Sequence, residues 1–210
     1  MPNVTAQIRH QLMLRIDELK PADRVLAAKA LTVAEQAHTG QFRKPPKIDS
    51  YLRDPYVIHP MRVALILFDE LKCRNIDALC AALLHDVVED SDGKVTTADL
   101  EAEFGRTIAL MVSVLTKPPA DKKIPRDQQL HTYHERIGQA ALSTRLVKLS
   151  DRLDNIREAS QCTDEPFQKR YLVETREVYL PLAMDSDAYM HEQISKSCDE
   201  LEQLLHGDKI

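Results

Sequence analysis

Residues 75–90, NIDALCAALLHDVVED, constrain the fold more than any other part of the chain. Leu79, Ala82, Leu83, Val87 and Val88 follow helical spacing, yet apolar residues occupy more than one side of the helix. A helix with one apolar stripe lies on a surface, whereas one that is apolar all round needs neighbours all round. Asn75-Ile76-Asp77 therefore opens a central helix around which others must be arranged. Composition agrees, because only 5 glycines, no tryptophan and 5% aromatics leave a chain of good helix formers with short connections. At 210 residues it suits one domain with a real core. The expected class is all-α, a helical bundle with almost no sheet.

Flanking segments supply the neighbours. Val4, Ile8, Leu12, Leu14, Ile16 and Leu19 trace an amphipathic helix, and after Pro21 a second one runs through Ala27, Ala30, Leu31 and Ala34 to His38. This divides the chain into an N-terminal helical extension, 1–22, and a main domain, 23–210. Residues 41–54, QFRKPPKIDSYLRD, hold two prolines and no period, and read as a loop whose length is uncommon without a task. His59-Pro60 opens a helix carried on by Val63, Ala64, Ile66, Leu67 and Leu71. Thr96 begins a capped helix, Gly105 marks a junction, and KPPADKKIPRDQQ is a basic, proline-broken loop. Further helices are expected around 146–156 and 167–180, with a closing amphipathic one through Ile194, Cys198, Leu201 and Leu205. His131 and His134, in a polar stretch without an evident carboxylate partner, read as surface residues, and His38 as a core histidine.

A net charge of −5 argues against a nucleic-acid or membrane-surface partner, while leaving room for a small anion at a local basic site. Cys73, Cys80, Cys162 and Cys198 form no CxxC pair and sit in apolar helical patterns, as free thiols do in a reducing compartment. No signal peptide or membrane-spanning run is evident, so the expected location is cytoplasmic. Self-association into a homo-oligomer is left open.

The chemistry gathers where the central helix ends. A lone His-Asp dipeptide is no rarer than chance. Here, though, Glu89 and Asp90 follow His85-Asp86 at i+3 and i+4, so four polar groups crowd one end of an apolar helix. Burying several carboxylates together is costly unless a cation or hydrogen bonds compensate, and a divalent metal does so with one group. His59 (in YVIHP) and Asp151 (in LVKLSDRLDNI) are lone polar residues in apolar helical contexts, and are the natural remaining ligands. Two His and two Asp leave positions for water and substrate on a six-coordinate ion, and this mixed set suits Mn²⁺, Fe²⁺ or Zn²⁺ better than Ca²⁺; Mn²⁺ is the first choice.

In order along the chain, AEQAHTGQFRK, PYVIHPMRVALIL, AALLHDVVEDSD, LEAEFGRTIALMVSVLTK, LVKLSDRLDNIRE and KRYLVETREVYLPLA resemble the hydrolase domain of the RelA/SpoT homologues, over about residues 30–183. With no synthetase half following, the chain resembles a stand-alone small alarmone hydrolase. The resemblance implies an all-helical HD-domain bundle binding one Mn²⁺ through His59, His85, Asp86 and Asp151. The implied reaction removes pyrophosphate from the ribose 3′ position of ppGpp or pppGpp. Glu89 and Asp90 are then placed to orient and deprotonate a water acidified by the metal, and which of them is the base stays open. The resemblance also implies that Arg43 and Lys44 contact the nucleotide, Asn155 the ribose region, and Arg126 and Arg170 the phosphates. Cations are needed somewhere, because an acidic site alone repels a polyphosphate.

Two departures from the family pattern stand out. PPKIDSYLRD intervenes between Lys44 and Pro55 where the family has a few residues, next to the expected base pocket, so adenosine alarmones such as ppApp are expected among the substrates. Met184-Asp185-Ser186-Asp187 replaces the family's usual sequence after YxPLA. Two other readings are a broader HD nucleotide phosphohydrolase and a non-catalytic module that binds alarmone.

Overall fold

The computed structural model describes residues 4–43, 54–91, 93–162 and 164–207. Helices α1 (Val4–Ile16) and α2 (Pro21–Ala37) lead into α3 (Ile58–Leu65), which is prolonged by one π-helical turn, Ile66–Glu70. After α4 (Ile76–Leu84) and the short α5 (Val87–Asp90) come α6 (Thr97–Phe104), α7 (Arg106–Leu115) and α8 (Arg126–Gly138). The chain closes with α9 (Leu142–Ala159), α10 (Glu165–Glu174), a second π turn at Thr175–Tyr179, α11 (Leu180–Met184) and α12 (Ala188–Gly207). Phe42 and Pro55 form an isolated antiparallel bridge, and no extended strand occurs among the described residues. None of these helices is long and apolar enough to cross a membrane.

Local chemistry explains the boundaries. Asn75 caps α4 by accepting the Ala78 amide at 3.1 Å, and Thr96 and Asp99 form a reciprocal capping box at the start of α6. Gly105 joins α6 to α7 at φ 85°, a left-handed conformation that glycine adopts without strain. Helix α4 is enclosed as its sequence demands: residues 78–84 are all buried. The helix does not run unbroken through residues 85–86, however. His85 Nδ1 lies 2.8 Å from the Ala82 carbonyl, so an imidazole takes a carbonyl near the end of α4, and the helix pauses at His85-Asp86 before α5.

Sequence patterning did not foresee α8. Its apolar positions thin to Leu130, Tyr133 and Ile137, enough to dock one face but too few to stand out among polar residues.

Buried apolar side chains form two clusters. One gathers α1 to α4, α6 and α7 with Tyr133, Ile137 and Val147. The other joins Leu149, Leu153 and Ile156 to α10, α11 and α12 through Leu172, Tyr179, Ala183, Met190, Ile194 and Leu201. Helix α9 thus serves both clusters.

Candidate active site

The polar residues of α3, α4 and α9 converge. His59 is fully buried, and His85 and Asp151 are nearly so. One donor atom of each lies within 4.8 Å of those of the other two. His59 Nε2 is 3.1 Å from Asp151 Oδ1, and His85 Nε2 is 3.1 Å from Asp86 Oδ2. The cross distances, His59 to Asp86 and His85 to Asp151, are both 3.7 Å. Asp86 is in turn held by the Tyr56 hydroxyl, which donates to Oδ2 at 2.7 Å.

Each imidazole is fixed by its other nitrogen: His59 Nδ1 donates to Asp154 at 2.7 Å, and His85 Nδ1 to the Ala82 carbonyl. That leaves both Nε2 atoms buried with no hydrogen-bond partner, facing the same carboxylates. Unsatisfied buried nitrogens are costly. Two lone pairs and a carboxylate oxygen pointed at one spot fit a divalent metal ion, which satisfies all of them at once.

In the metal-free site a proton takes the place such an ion would fill. Burial opposes charge on both imidazoles, but carboxylates outweigh it: Asp151 and Asp154 raise the pKa of His59, and Asp86 with Asp151 raises that of His85 well above its ordinary value. Burial likewise opposes charge on Asp86 and Asp151, yet His85 pulls the first below the usual carboxylate range and Lys148 pulls the second well below it. Imidazoles and carboxylates thus set one another's charge in the metal-free site.

Above it opens a cleft of about 170 Å³. Its lining mixes the carboxylates of Asp86, Glu89, Asp90 and Glu174 with the cations Lys117, Lys148 and Arg152. Glu89 is exposed and accepts the Lys117 amide at 3.1 Å. Asp90 is half-buried, and burial together with the charges of Asp86 and Glu89 pushes its pKa up to about 6. Arg43 lies over the Tyr56 ring, pairs with Glu158 and donates to Asn155 Oδ1 at 2.7 Å. Asn155 donates onward to Asp151 Oδ1 at 2.5 Å, so it touches the carboxylate that faces the two imidazoles directly. Lys44 and the inserted segment fall outside the described residues. Their flanks are pinned together, with the Arg43 amide donating to the Asp54 carbonyl at 2.9 Å.

The remaining two arginines lie elsewhere. Arg126 sits exposed at the start of α8, and Arg170 lines an adjoining groove that shares Tyr171 and Glu174 with the cleft. His134 corrects the sequence reading of a surface residue lacking a carboxylate: it is largely buried, 3.3 Å from Glu174.

Sequence reasoning passed over Lys148, Arg152 and Asp154. Lys148 donates to Asp151 Oδ2 at 2.7 Å, and Arg152 is sandwiched between the Tyr171 and Tyr179 rings at 4.0 and 3.8 Å. In VKLSDRLDN the charged residues occur at i, i+3, i+4 and i+6, an arc that one polar face of a helix can hold, so their spacing does not mark them as buried.

A family model described as HD domain matches residues 30–187, which is most of the chain. The chain belongs to the HD-domain family. Within it, the HD domain is 35% identical over 137 residues to the guanosine-3′,5′-bis(diphosphate) 3′-pyrophosphohydrolase MESH1 of Danio rerio, covering 65% of this chain and 71% of that protein. It is 36% identical to the bifunctional (p)ppGpp synthase/hydrolase SpoT of Escherichia coli, over 78% of this chain but only 22% of that protein. Among solved structures it is similar to a metazoan orthologue of SpoT that hydrolyses ppGpp, with a TM-score of 0.72 and 27% identity over 83% of this chain and 94% of that one. The all-α HD bundle expected from the motifs is the fold observed.

Proposed function

We propose that the protein is a metal-dependent hydrolase that removes the 3′-pyrophosphate of alarmone nucleotides of the ppGpp type. The observation that carries this reading is the pair of buried, unpartnered Nε2 atoms of His59 and His85, facing Asp86 and Asp151 beside a cleft lined by both carboxylates and cations. Its relatives of known name act on that substrate class, and the stand-alone MESH1 of Danio rerio matches it in extent.

His59, His85, Asp86 and Asp151 hold the ion, with Mn²⁺ as the preferred one among metals suited to nitrogen and carboxylate donors. When bound, such an ion polarises a phosphoryl oxygen and acidifies water. The chain's own groups do the rest. Glu89 and Asp90, which line the cleft, take the proton of the attacking water. Lys117, Lys148 and Arg152 in the same lining offset the phosphate charge, and Arg152 needs no reorganisation because two tyrosine rings already fix it. Arg43 and Asn155, joined beside Asp151, form the nucleoside side of the site, with Lys44 next to them in sequence. Arg126 and Arg170 stand further out, as cations met by the polyphosphate on approach.

The test is pyrophosphate release, with products separated by chromatography, from ppGpp, pppGpp, ppApp and pppApp in the presence of Mn²⁺. Release from at least one, abolished by Asp86→Ala together with metal binding, is the expected outcome. Binding of all four without release would replace the enzyme by a sensor.

A further inference from the structure

His59 and His85 are oriented by groups of different kinds. His85 leans on a backbone carbonyl, which any sequence supplies, whereas His59 leans on the carboxylate of Asp154. Asp154 is 5% exposed, and a carboxylate so deeply buried needs partners. It has three donors: His59 Nδ1 at 2.7 Å, Arg62 Nε at 2.7 Å and Arg62 Nη2 at 3.0 Å. The guanidinium fork fixes the plane of the carboxylate, and the carboxylate fixes the tilt and tautomer of the imidazole.

The chain of contacts does not stop there. Arg62 Nη2 also reaches Glu158 at 3.2 Å, Glu158 accepts Arg43 Nε at 2.7 Å, and Arg43 leads through Asn155 to Asp151. Asp151 Oδ1 stands 3.1 Å from His59 Nε2, where the circuit began. A closed ring of polar side chains thus locks two of the metal-facing residues, His59 and Asp151, to each other from behind. Apart from Asn155 to Asp151, one turn apart within α9, every link crosses between segments distant in sequence, so the arrangement is tertiary and not a by-product of one helix.

We infer that Asp154 is a positioning residue for the metal. It holds His59 as the Nδ1–H tautomer with its Nε2 lone pair on the ion, and the Arg62–Glu158–Arg43 ring holds Asp154. This rests on the metal-site reading above. It predicts that Asp154 sets metal affinity and not merely fold stability.

Mn²⁺ dissociation constants are measured calorimetrically on metal-stripped full-length protein, with circular dichroism and Tm recorded alongside. Asp154→Ala weakens Mn²⁺ binding by about 10- to 100-fold, the usual effect of losing such a partner. Asp154→Asn keeps an acceptor oxygen for His59 but loses the charge, and falls between wild type and Asp154→Ala. A purely structural residue would lower Tm and leave the dissociation constant alone, so either folded variant binding Mn²⁺ within twofold of wild type overturns the inference. If the alanine variant does not fold, the asparagine variant decides alone. Failure of the wild type to bind any divalent metal overturns both this and the metal-site reading. Metal binding weakened by the substitutions, in a wild type that hydrolyses no alarmone, leaves this inference standing and overturns the proposed activity.

Discussion

Lys148 offers the sharpest test of how the site balances its charge. Its ammonium is 5% exposed and donates to Asp151 Oδ2 at 2.7 Å, while Oδ1 of the same carboxylate faces His59. Under the proposed reading, lysine and metal would therefore share one carboxylate, the ammonium on Oδ2 and the ion on the Oδ1 side. Lys148→Met keeps the length and apolar stem of the side chain and removes the charge. In metal-stripped protein the buried Asp151 then loses its strongest compensating charge, and breaking a buried pair in this way costs about 3–5 kcal/mol. For a chain of this size that corresponds to a Tm lower by roughly 10 °C. Metal should rescue the variant, because a divalent ion supplies the missing positive charge and no longer competes with an ammonium for Asp151. Mn²⁺ is expected to bind at least ~10-fold tighter than to wild type, about 1.4 kcal/mol, so saturating metal raises Tm more in the variant. Calorimetric melting of both proteins, with and without Mn²⁺, measures all four corners of this cycle. A metal-free variant within 1 kcal/mol of wild type, or a metal-induced rise in Tm no larger than that of wild type, would refute the reasoning.

Glu89→Ala and Asp90→Ala each leave Mn²⁺ binding intact and lower kcat by about 100-fold or more; unchanged turnover in either removes that residue from the proton-transfer role. Burial raises the pKa of Glu174, but His134 and Arg152 outweigh it and draw it down to about 2 from an ordinary 4.5. A depressed carboxylate pKa stabilises the fold above pH 4.5, and the effect is lost as pH falls toward 2. Allowing for the group's partial exposure, Glu174→Gln costs about 1–2 kcal/mol at neutral pH. In urea titrations across pH the gap from wild type closes between those two values, and a gap independent of pH would contradict the assignment. Because the insertion after Lys44 adjoins Arg43, ppApp is expected to be turned over with a higher kcat/KM than ppGpp, and equal or better turnover of ppGpp counts against it.

What the sequence revealed and what it concealed follow from the range of the interactions. His85, Asp86, Glu89 and Asp90 were legible because they lie within two helical turns, where spacing alone shows polar groups gathered at the end of an apolar helix. The pause between α4 and α5 was not legible, since it depends on an imidazole reaching back to the Ala82 carbonyl. Asp154 and Arg62 are separated by 92 residues, and nothing in either segment announces that one guanidinium will hold one carboxylate. Helix α8 was missed for a related reason: its apolar face is thin, and Tyr133 becomes a core residue only because its hydroxyl finds the Leu115 carbonyl at 2.8 Å. Lys148 stands three residues before Asp151, but a lysine one turn from a carboxylate is common on solvent faces of helices, so its burial beside Asp151 has no local signature.

Helix α9 belongs to both apolar clusters, with Val147 in one and Leu149, Leu153 and Ile156 in the other. Neither half of the molecule can therefore open while the other stays closed without stripping one flank of α9. The slowest-exchanging amide protons should accordingly sit in α9 and exchange only when the whole chain unfolds. An ion bound through Asp151 would slow that single global event, while the amides of α1 at the periphery went on exchanging through local fraying at an unchanged rate.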